Sequence, residues 1–377
     1  MIDRELVSIP IQVPEAMETT SGIARHFPHV FGCLYEESRE KPTTALLFCH
    51  PNTNFMEHYA LRPFAAQGYA CLGFTTRYLN NDSALIMEET VLDVAEAVRY
   101  LRERYRNVVL VGNSGGGPLM SMYQSQAEGP SITITPAGDL PDLTKADLPT
   151  ADGLILLAAH TGRAQVLTDN MDASVVDERD PDSRDPALDM FDRANGPPYS
   201  EEFVRRYRAA QEARNLRITD WVRDTLIQRN AGGTRSNLAF TVYRTMADLR
   251  FTDLSVDPSD REPGCMWGDA EQNNRHTALG HARFSSLRSW LSQWGLTTTN
   301  GDALQHLPRS SAPVLVIDYT GDQGAFPSYA DALFAAATVE DKELRRIKEA
   351  SHYLIGQETQ LKEMVETVSG WLEDRGM

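Results

Sequence analysis

A serine flanked by glycines is the first feature of this sequence that indicates chemistry. Residues 112–116 read GNSGG, a GxSxG pattern centred on Ser114, after the apolar run at 108–111 and before the helix-like segment GPLMSMYQSQ. In a tight strand-to-helix turn, small neighbours let the serine expose its hydroxyl, and the helix N-terminus favours a developing negative charge. A phosphate-binding loop is the alternative, but neither GxxxxGKS/T nor GxGxxG is present. We predict that Ser114 is a nucleophile.

A serine hydroxyl is a weak nucleophile and needs a base, usually a histidine that a carboxylate orients. Among the nine histidines, His352 is best placed, because it lies between the last short strand and the closing helix. Such loops, at the carboxyl ends of strands, carry the sites of open α/β sheets. The acid should follow the strand PVLVIDY. Asp322 lies past the strand end, whereas Asp318 lies inside the apolar run and could be structural; we therefore favour Asp322.

Two further polar residues follow buried strands. Arg77 comes after YACLGF, and His160 ends the segment that begins GLILLA. Both should lie at the carboxyl edge of the sheet, near Ser114. They either contact the substrate or make structural hydrogen bonds beneath a covering segment, and the sequence does not decide between these interpretations. We keep both as candidate substrate-binding residues.

The elements that must position these residues are short apolar runs that alternate with helical segments. This rhythm predicts βαβ units and a mostly parallel central sheet with helices on both faces, an α/β fold. The predicted strands are ELVSIPIQV, HVFGCLYEE, 44–49, 69–74, 108–111, 153–158, 313–319 and 344–347, and the predicted helices are 57–67, 85–105, 329–337 and 359–372.

The alternation of short apolar runs and helical segments is interrupted between residues 162 and 305. This region contains two helical stretches, at 201–229 and 284–294, and it leaves and rejoins the sheet at the carboxyl edge. We expect a large, mainly helical lid there, between the two parts of a core at 1–161 and 306–377. The aromatic residues of this insertion either line a pocket or pack the lid itself, and Tyr207, Trp221 and Trp290 are examples.

The composition and motifs of the chain indicate which binding partners and which location to expect. The formal charge is −17, with 53 acidic and 36 basic residues, which argues against nucleic acid and anionic membranes. The four cysteines are widely spaced without a CxxC pair, and no HExxH motif occurs, so we expect no metal ion. The first residues do not resemble a signal peptide, and no apolar stretch has the length of a membrane helix. These features predict a cytoplasmic protein, and they leave a homo-oligomer open.

With a nucleophile, a base and an acid in this order, the chain resembles the α/β-hydrolase superfamily over residues 44–160 and 312–372. The resemblance implies a Ser-His-Asp triad and an oxyanion hole, with the backbone N–H of Gly115 as one donor. The other donor would come from the loop after TALLFC, where many relatives carry His-Gly and this chain has His50 and Pro51. We expect Asn52 to be that donor and His50 to contact the substrate.

These inferences predict a serine hydrolase that cleaves a carboxylic ester or lactone of a small molecule through an acyl-serine, without a cofactor. Hydrolysis of a C–C bond, as in a β-diketone, or of an amide or carbamate could use the same residues. A non-catalytic ligand-binding protein on the same scaffold is the alternative of a different class.

Overall fold

The structure is a computed structural model. It describes residues 1–11, 26–37, 41–231, 233, 236–276 and 280–377. The first predicted strand, ELVSIPIQV, extends beyond residue 11, so that its last two residues lie outside the described part of the chain.

A large, mostly parallel sheet forms the centre of the molecule. The strands of the described chain are β1 Ile2–Pro10, β2 His29–Glu37, β3 Thr44–Cys49, β4 Ala70–Phe74, β5 Asn107–Asn113, β6 Gly153–Leu157, β7 Val175–Asp177, β8 Asp180–Arg184, β9 Ala239–Thr241, β10 Phe284–Ser286, β11 Val314–Tyr319 and β12 Lys342–Ile347. The order of the strands in the central sheet is β1-β2-β4-β3-β5-β6-β11-β12, and of these described pairs only β1–β2 and β2–β4 are antiparallel.

Helices cover both faces of this sheet. The helices of the described chain are α1 Leu61–Ala65, α2 Met87–Arg102, α3 Gly116–Glu128, α4 Arg163–Asn170, α5 Glu201–Asn230, α6 Ala270–His276, α7 Leu287–Ser289, α8 Ala303–His306, α9 Pro327–Ala336 and α10 Glu358–Glu373. Alternate residues of β3 and β5 point into two separate hydrophobic clusters, one packed on α2 and α3 and the other on α1 and α10, which explains why the sequences of these strands are continuous apolar runs. The predicted α/β fold is confirmed.

Two predicted helices differ from the structure. The helix expected over 57–67 is reduced to the single turn α1. The helix expected over 284–294 begins as strand β10, because Phe284–Ser286 pairs with Ala239–Thr241, and then continues as α7 and a π-helical turn, Trp290–Trp294. That pairing joins segments about forty residues apart, so local periodicity does not reveal it.

The insertion between β6 and β11 is built around the 30-residue helix α5, with two small two-stranded sheets beside it. Buried aromatic and aliphatic residues of the insertion form its core. Tyr207 is fully buried and donates to the carbonyl of Ala247, and Trp290 is fully buried and donates to Thr219. Trp221 is 44% exposed. Packing within the insertion, the second of the two interpretations, therefore describes Tyr207 and Trp290, whereas Trp221 is half exposed with its ring against Phe240.

Hydrogen bonds hold the insertion to both sides of the carboxyl edge. On one side, Ser292 accepts from the backbone N–H of Met87 at 2.8 Å, and Gln293 donates to the carbonyl of Asp82 at 2.7 Å. On the other side, the hydroxyls of Thr320 and Ser328 each donate to an aspartate of the insertion at 2.6 Å. The insertion therefore spans the edge at which β5, β6, β11 and β12 end.

Candidate active site

Ser114 occupies a sharp turn between β5 and α3. Its φ is +56°, in the left-handed region that residues other than glycine rarely adopt. The turn is held by two backbone hydrogen bonds: the N–H of Ser114 donates to Leu157 at 3.1 Å, and its carbonyl accepts from Gly117 at 3.0 Å. Strain of this kind persists only where the surrounding structure imposes it, and here it places a serine at the carboxyl edge of the sheet.

The glycines around Ser114 are required by close packing. A Cβ at Gly116 would overlap the carbonyl oxygen of Cys49 at the end of β3, and a Cβ at Gly117 would lie 2.5 Å from the Cβ of Ala159. The chain therefore passes its neighbours at distances that exclude a side chain, as the GxSxG pattern predicts.

His352 and Asp322 meet at the same edge. The Nδ1 of His352 donates to one carboxylate oxygen of Asp322 at 2.6 Å, and the other oxygen accepts from the N–H groups of Gly324 and Ala325 at 2.7 and 3.0 Å. Both side chains are buried. The opposite ring nitrogen, Nε2 of His352, is buried without a hydrogen-bond partner among the described residues. A neutral ring oriented in this way has its basic nitrogen free.

Asp318, the other candidate acid, has different neighbours. It lies within β11 and forms an ion pair with Arg346 at 3.0 Å. Burial raises the pKa of its carboxyl group to about 6, against the opposing effect of Arg346. The structure thus pairs Asp322, and not Asp318, with His352.

His50, at the end of β3, is held in one tautomer by its own loop. Its Nδ1 accepts from the backbone N–H groups of Asn52 at 3.3 Å and Thr53 at 3.1 Å, so the ring proton must be on Nε2. That Nε2 lies beside Gly115, where an added Cβ would be 2.6 Å from it. Burial lowers the pKa of His50 well below its usual range, helped by the charge of Arg163. The imidazole is therefore neutral, with an N–H next to the residue that follows Ser114.

This arrangement of strands, turn and loops has known relatives. The model of the alpha/beta hydrolase family matches residues 46–367. The chain belongs to the alpha/beta hydrolase family. A comparison of its sequence with curated proteins gives no match.

Several solved structures resemble this chain at low sequence identity. DcsB, in complex with its substrate analogue, is 11% identical with a TM-score of 0.52, over 99% of both chains. The alpha/beta hydrolase GrgF from Penicillium sp. sh18 is 11% identical with a TM-score of 0.50, over 99% of this chain and 98% of that one. The esterase domain of a Rhodothermus marinus protein is 12% identical with a TM-score of 0.48, over 98% and 97% of the two chains. At these identities the likeness concerns the fold alone.

Asn52, the predicted second oxyanion donor, makes hydrogen bonds to residues of three different segments. Its backbone N–H donates to His50, and its side-chain amide donates to Asp82 at 2.9 Å. Its side-chain oxygen accepts from Arg163 at 3.3 Å. These bonds commit the backbone N–H and one amide hydrogen of Asn52 to neighbouring residues, so Asn52 supports the loop. Its role as the second oxyanion donor stays a prediction.

The structure favours the structural interpretation for Arg77, whereas His160 lies beside Gly115. The guanidinium of Arg77 is buried and binds Asp93 through two nitrogens, at 2.9 and 2.6 Å, so the structural interpretation holds. His160 is 7% exposed, and its Nε2 would be 3.4 Å from a Cβ at Gly115. Burial lowers the pKa of His160 well below its usual range. His160 therefore remains a candidate substrate contact.

His58 supports the turn at Ser114 through Asn113, and the sequence analysis did not identify it. Its Nε2 bonds to the side-chain oxygen of Asn113 at 3.2 Å, and the amide nitrogen of Asn113 donates to the carbonyl of Leu157 at 2.8 Å. Burial lowers the pKa of His58 to about 4. The sequence shows only that His58 lies eight residues after His50. That spacing does not indicate a role, because the contact with Asn113 depends on the fold.

Within the described residues, no group of three or more His, Cys, Asp or Glu side chains could hold a metal ion. The described helices also include none long and apolar enough to cross a membrane.

Proposed function

We propose that this alpha/beta hydrolase cleaves a carboxylic ester or lactone of a small molecule through an acyl-serine intermediate. The observation that carries the proposal is the His352–Asp322 pair, whose unpartnered Nε2 lies at the same sheet edge as the strained turn at Ser114. Ser114 is the nucleophile, His352 the general base and then the general acid, and Asp322 the group that orients His352.

The reaction follows from these positions. The Oγ of Ser114 attacks the ester carbonyl while its proton moves to Nε2 of His352, and Asp322 stabilises the imidazolium. The tetrahedral intermediate collapses when that proton passes to the leaving alcohol. A water molecule, deprotonated by the same nitrogen, then attacks the acyl-serine, and the acid product leaves with Ser114 restored.

Two N–H groups are suited to bind the developing oxyanion. One is the backbone N–H of Gly115, which precedes α3 and lies at its positive end. The other is the Nε2–H of His50, because its Nδ1 is occupied by the loop and its ring is neutral. Pro51 has no backbone N–H to offer, so a side-chain donor replaces the backbone donor usual in this loop.

We further propose that residues 162–305 act as a lid. The insertion is bonded to both sides of the edge that carries Ser114, and covering this edge would exclude water while the acyl-serine forms. The two core segments, 1–161 and 306–377, would then supply the chemistry and the lid the selection among substrates.

A fluorophosphonate probe and a panel of simple esters test the proposal. The wild-type protein should label and hydrolyse esters without added metal, and Ser114→Ala should do neither, with a loss in kcat of about 10⁴- to 10⁶-fold. Ser121→Ala is the matched control, because its hydroxyl bonds to the carbonyl of Gly117 within the same helix. A folded wild-type protein that neither labels nor turns over any ester would be the non-catalytic scaffold.

A further inference from the structure

A group of buried nitrogen atoms without hydrogen-bond partners lies between β6 and the lid. Buried polar atoms in proteins are nearly always paired, so several unpaired ones in one place require an explanation, such as a bound molecule. Among the described residues, four such atoms belong to neighbouring side chains: Nδ1 of His160, Nε of Arg163, Nε2 of His281 and Nε1 of Trp294.

These side chains form a continuous surface that begins beside Gly115, the residue after Ser114. The Nε2 of His160 would be 3.4 Å from a Cβ at Gly115. The guanidinium of Arg163 lies 4.4 Å from the ring centre of Trp294, and His281 is the next ring, 6.4 Å from Trp294. The surface thus extends from the proposed oxyanion site in the core to the lid.

The charges of this surface are already balanced. Arg163 is 8% exposed and forms an ion pair with Asp82. Burial lowers the pKa of His160 well below its usual range and that of His281 to about 4, and in both cases the charge of Arg163 adds to the effect. The two imidazoles are therefore neutral at ordinary pH. A ligand here meets hydrogen-bonding groups but no unpaired charge.

We propose that this surface is a substrate subsite for a neutral oxygen acceptor, such as a ketone or hydroxyl oxygen, carried by the ester or lactone a few bonds from its reacting carbonyl. The inference rests on the proposed function. The free atoms of Arg163 and Trp294 can only donate. Each neutral imidazole can also donate one hydrogen bond, in the tautomer that protonates its free nitrogen, so an acceptor on the ligand matches all four atoms.

Two other substrate classes fit this surface less well. A plain alkyl chain would leave the four nitrogen atoms unpaired in a site closed to water, and sites built to hydrogen-bond a substrate discriminate strongly against analogues that lack the bond. A carboxylate would add a second negative charge to Arg163, whose charge Asp82 already balances. The neutral acceptor is therefore the class that we favour.

Matched ester pairs test this subsite. One pair is p-nitrophenyl pentanoate and p-nitrophenyl levulinate, which differ only by a ketone in place of a methylene; the second pair, pentyl acetate and its ketone analogue, places the same change in the alcohol. The p-nitrophenyl hemiester of glutaric acid supplies the carboxylate. We expect the ketone to raise kcat/KM about tenfold in at least one pair.

Two histidine variants connect the preference with the surface. His281→Phe keeps a ring but removes both nitrogens, and it should bring the ketone-to-methylene ratio of kcat/KM close to one. His276→Phe, an exposed lid histidine in α6, is the matched control and should keep the wild-type ratio. Trp294→Phe removes a single N–H and provides a second test if His281→Phe does not fold.

The outcomes separate this inference from the proposed function. Hydrolysis of every ester without preference for the ketone, or with preference for the carboxylate, would overturn the subsite and leave the serine hydrolase standing. A ketone preference that His281→Phe and Trp294→Phe both retain would place the recognition elsewhere. Absence of both probe labelling and ester turnover would instead refute the proposed function, and the subsite with it.

Discussion

The Nε2 atom of His50 lies against Gly115, so closely that a Cβ on this glycine would be 2.6 Å from it. The loop that follows β3 turns around the ring and donates two backbone N–H groups to Nδ1, which fixes the proton on the atom next to Gly115. An imidazole in this state donates one hydrogen bond without carrying charge. This contact would distinguish the proposed oxyanion hole of this chain from one in which the loop supplies a backbone donor.

Two amide substitutions at His50 distinguish the role of Nδ1 as an acceptor from the role of Nε2 as a donor. His50→Asn places an acceptor near the position of Nδ1 but removes the donor at Nε2, and we expect kcat to fall about 10²- to 10³-fold with little change in KM. His50→Gln reaches the position of Nε2 with an N–H and should retain more of kcat. Steady-state kinetics on one ester, with matched unfolding curves, would measure the difference. Equal losses in the two variants would mean that the ring only holds the loop.

Substitution of the two acids near the end of β11 should affect different properties, kcat for Asp322 and stability for Asp318. Asp322→Asn removes the carboxylate that orients His352, and we expect a loss in kcat of about 10⁴-fold with the fold retained. Asp318→Asn breaks the ion pair with Arg346 and should act mainly on stability, because Asp318 does not contact His352. Kinetics and urea unfolding of both variants provide the comparison. A larger kinetic loss at Asp318 would reverse our assignment of the acid.

The order of the strands explains how much of the site the sequence could predict. Ser114, Asp322 and His352 each follow a strand of the parallel sheet, and the carboxyl ends of such strands meet at one edge. Their proximity therefore follows from chain position alone. Their individual neighbours do not, and the choice between Asp322 and Asp318 required the observed hydrogen bond.

The sequence could not show the hydrogen bonds between segments that are distant along the chain. Arg77 follows its strand as predicted, but Asp93 on α2 binds its guanidinium, and no spacing rule links those two positions. Asn52 lies in the predicted loop, but Asp82 and Arg163 occupy its side chain. A polar residue at a sheet edge is available to substrate only if no such partner reaches it, which tertiary structure alone decides.

His58 should make stability depend on pH. Its folded pKa of about 4 lies below the unfolded value of about 6.5, so the unfolded chain binds the proton first as pH falls. His58 thus contributes full stability above about pH 6.5, and the contribution is lost as pH falls toward about 4. Between about pH 7 and about pH 5 the loss is about 2 kcal/mol.

The variant His58→Gln tests this dependence. Its amide N–H can still donate to Asn113 but does not titrate, so the difference in unfolding free energy between the two pH values should be about 2 kcal/mol smaller than in the wild type. Urea unfolding at both pH values measures this difference, and other titrating groups cancel in the comparison. An unchanged pH dependence would mean that His58 does not remain neutral in the folded protein.

Replacement of glycine by alanine should change the unfolding free energy in opposite directions at Gly116 and at Gly370. At Gly116 a Cβ would overlap the carbonyl oxygen of Cys49, so Gly116→Ala must displace backbone at the turn, and we expect a loss of about 1–3 kcal/mol in unfolding free energy. At Gly370, within α10, nothing lies within 4 Å of an added Cβ. Gly370→Ala should therefore stabilise the protein by about 0.4–1 kcal/mol.

The two alanine variants also differ in their expected activity. A shift of the turn at Gly116 moves Ser114 and the N–H of Gly115 away from His352 and His50, so kcat should fall further than stability alone explains, since a misplacement of about 1 Å can cost about 10²-fold. Gly370→Ala should keep wild-type kcat, because α10 packs on the sheet away from this edge. Urea unfolding and ester kinetics on both variants measure these effects. If Gly116→Ala proved as stable and as active as the wild type, close packing at the turn could not be what positions the nucleophile.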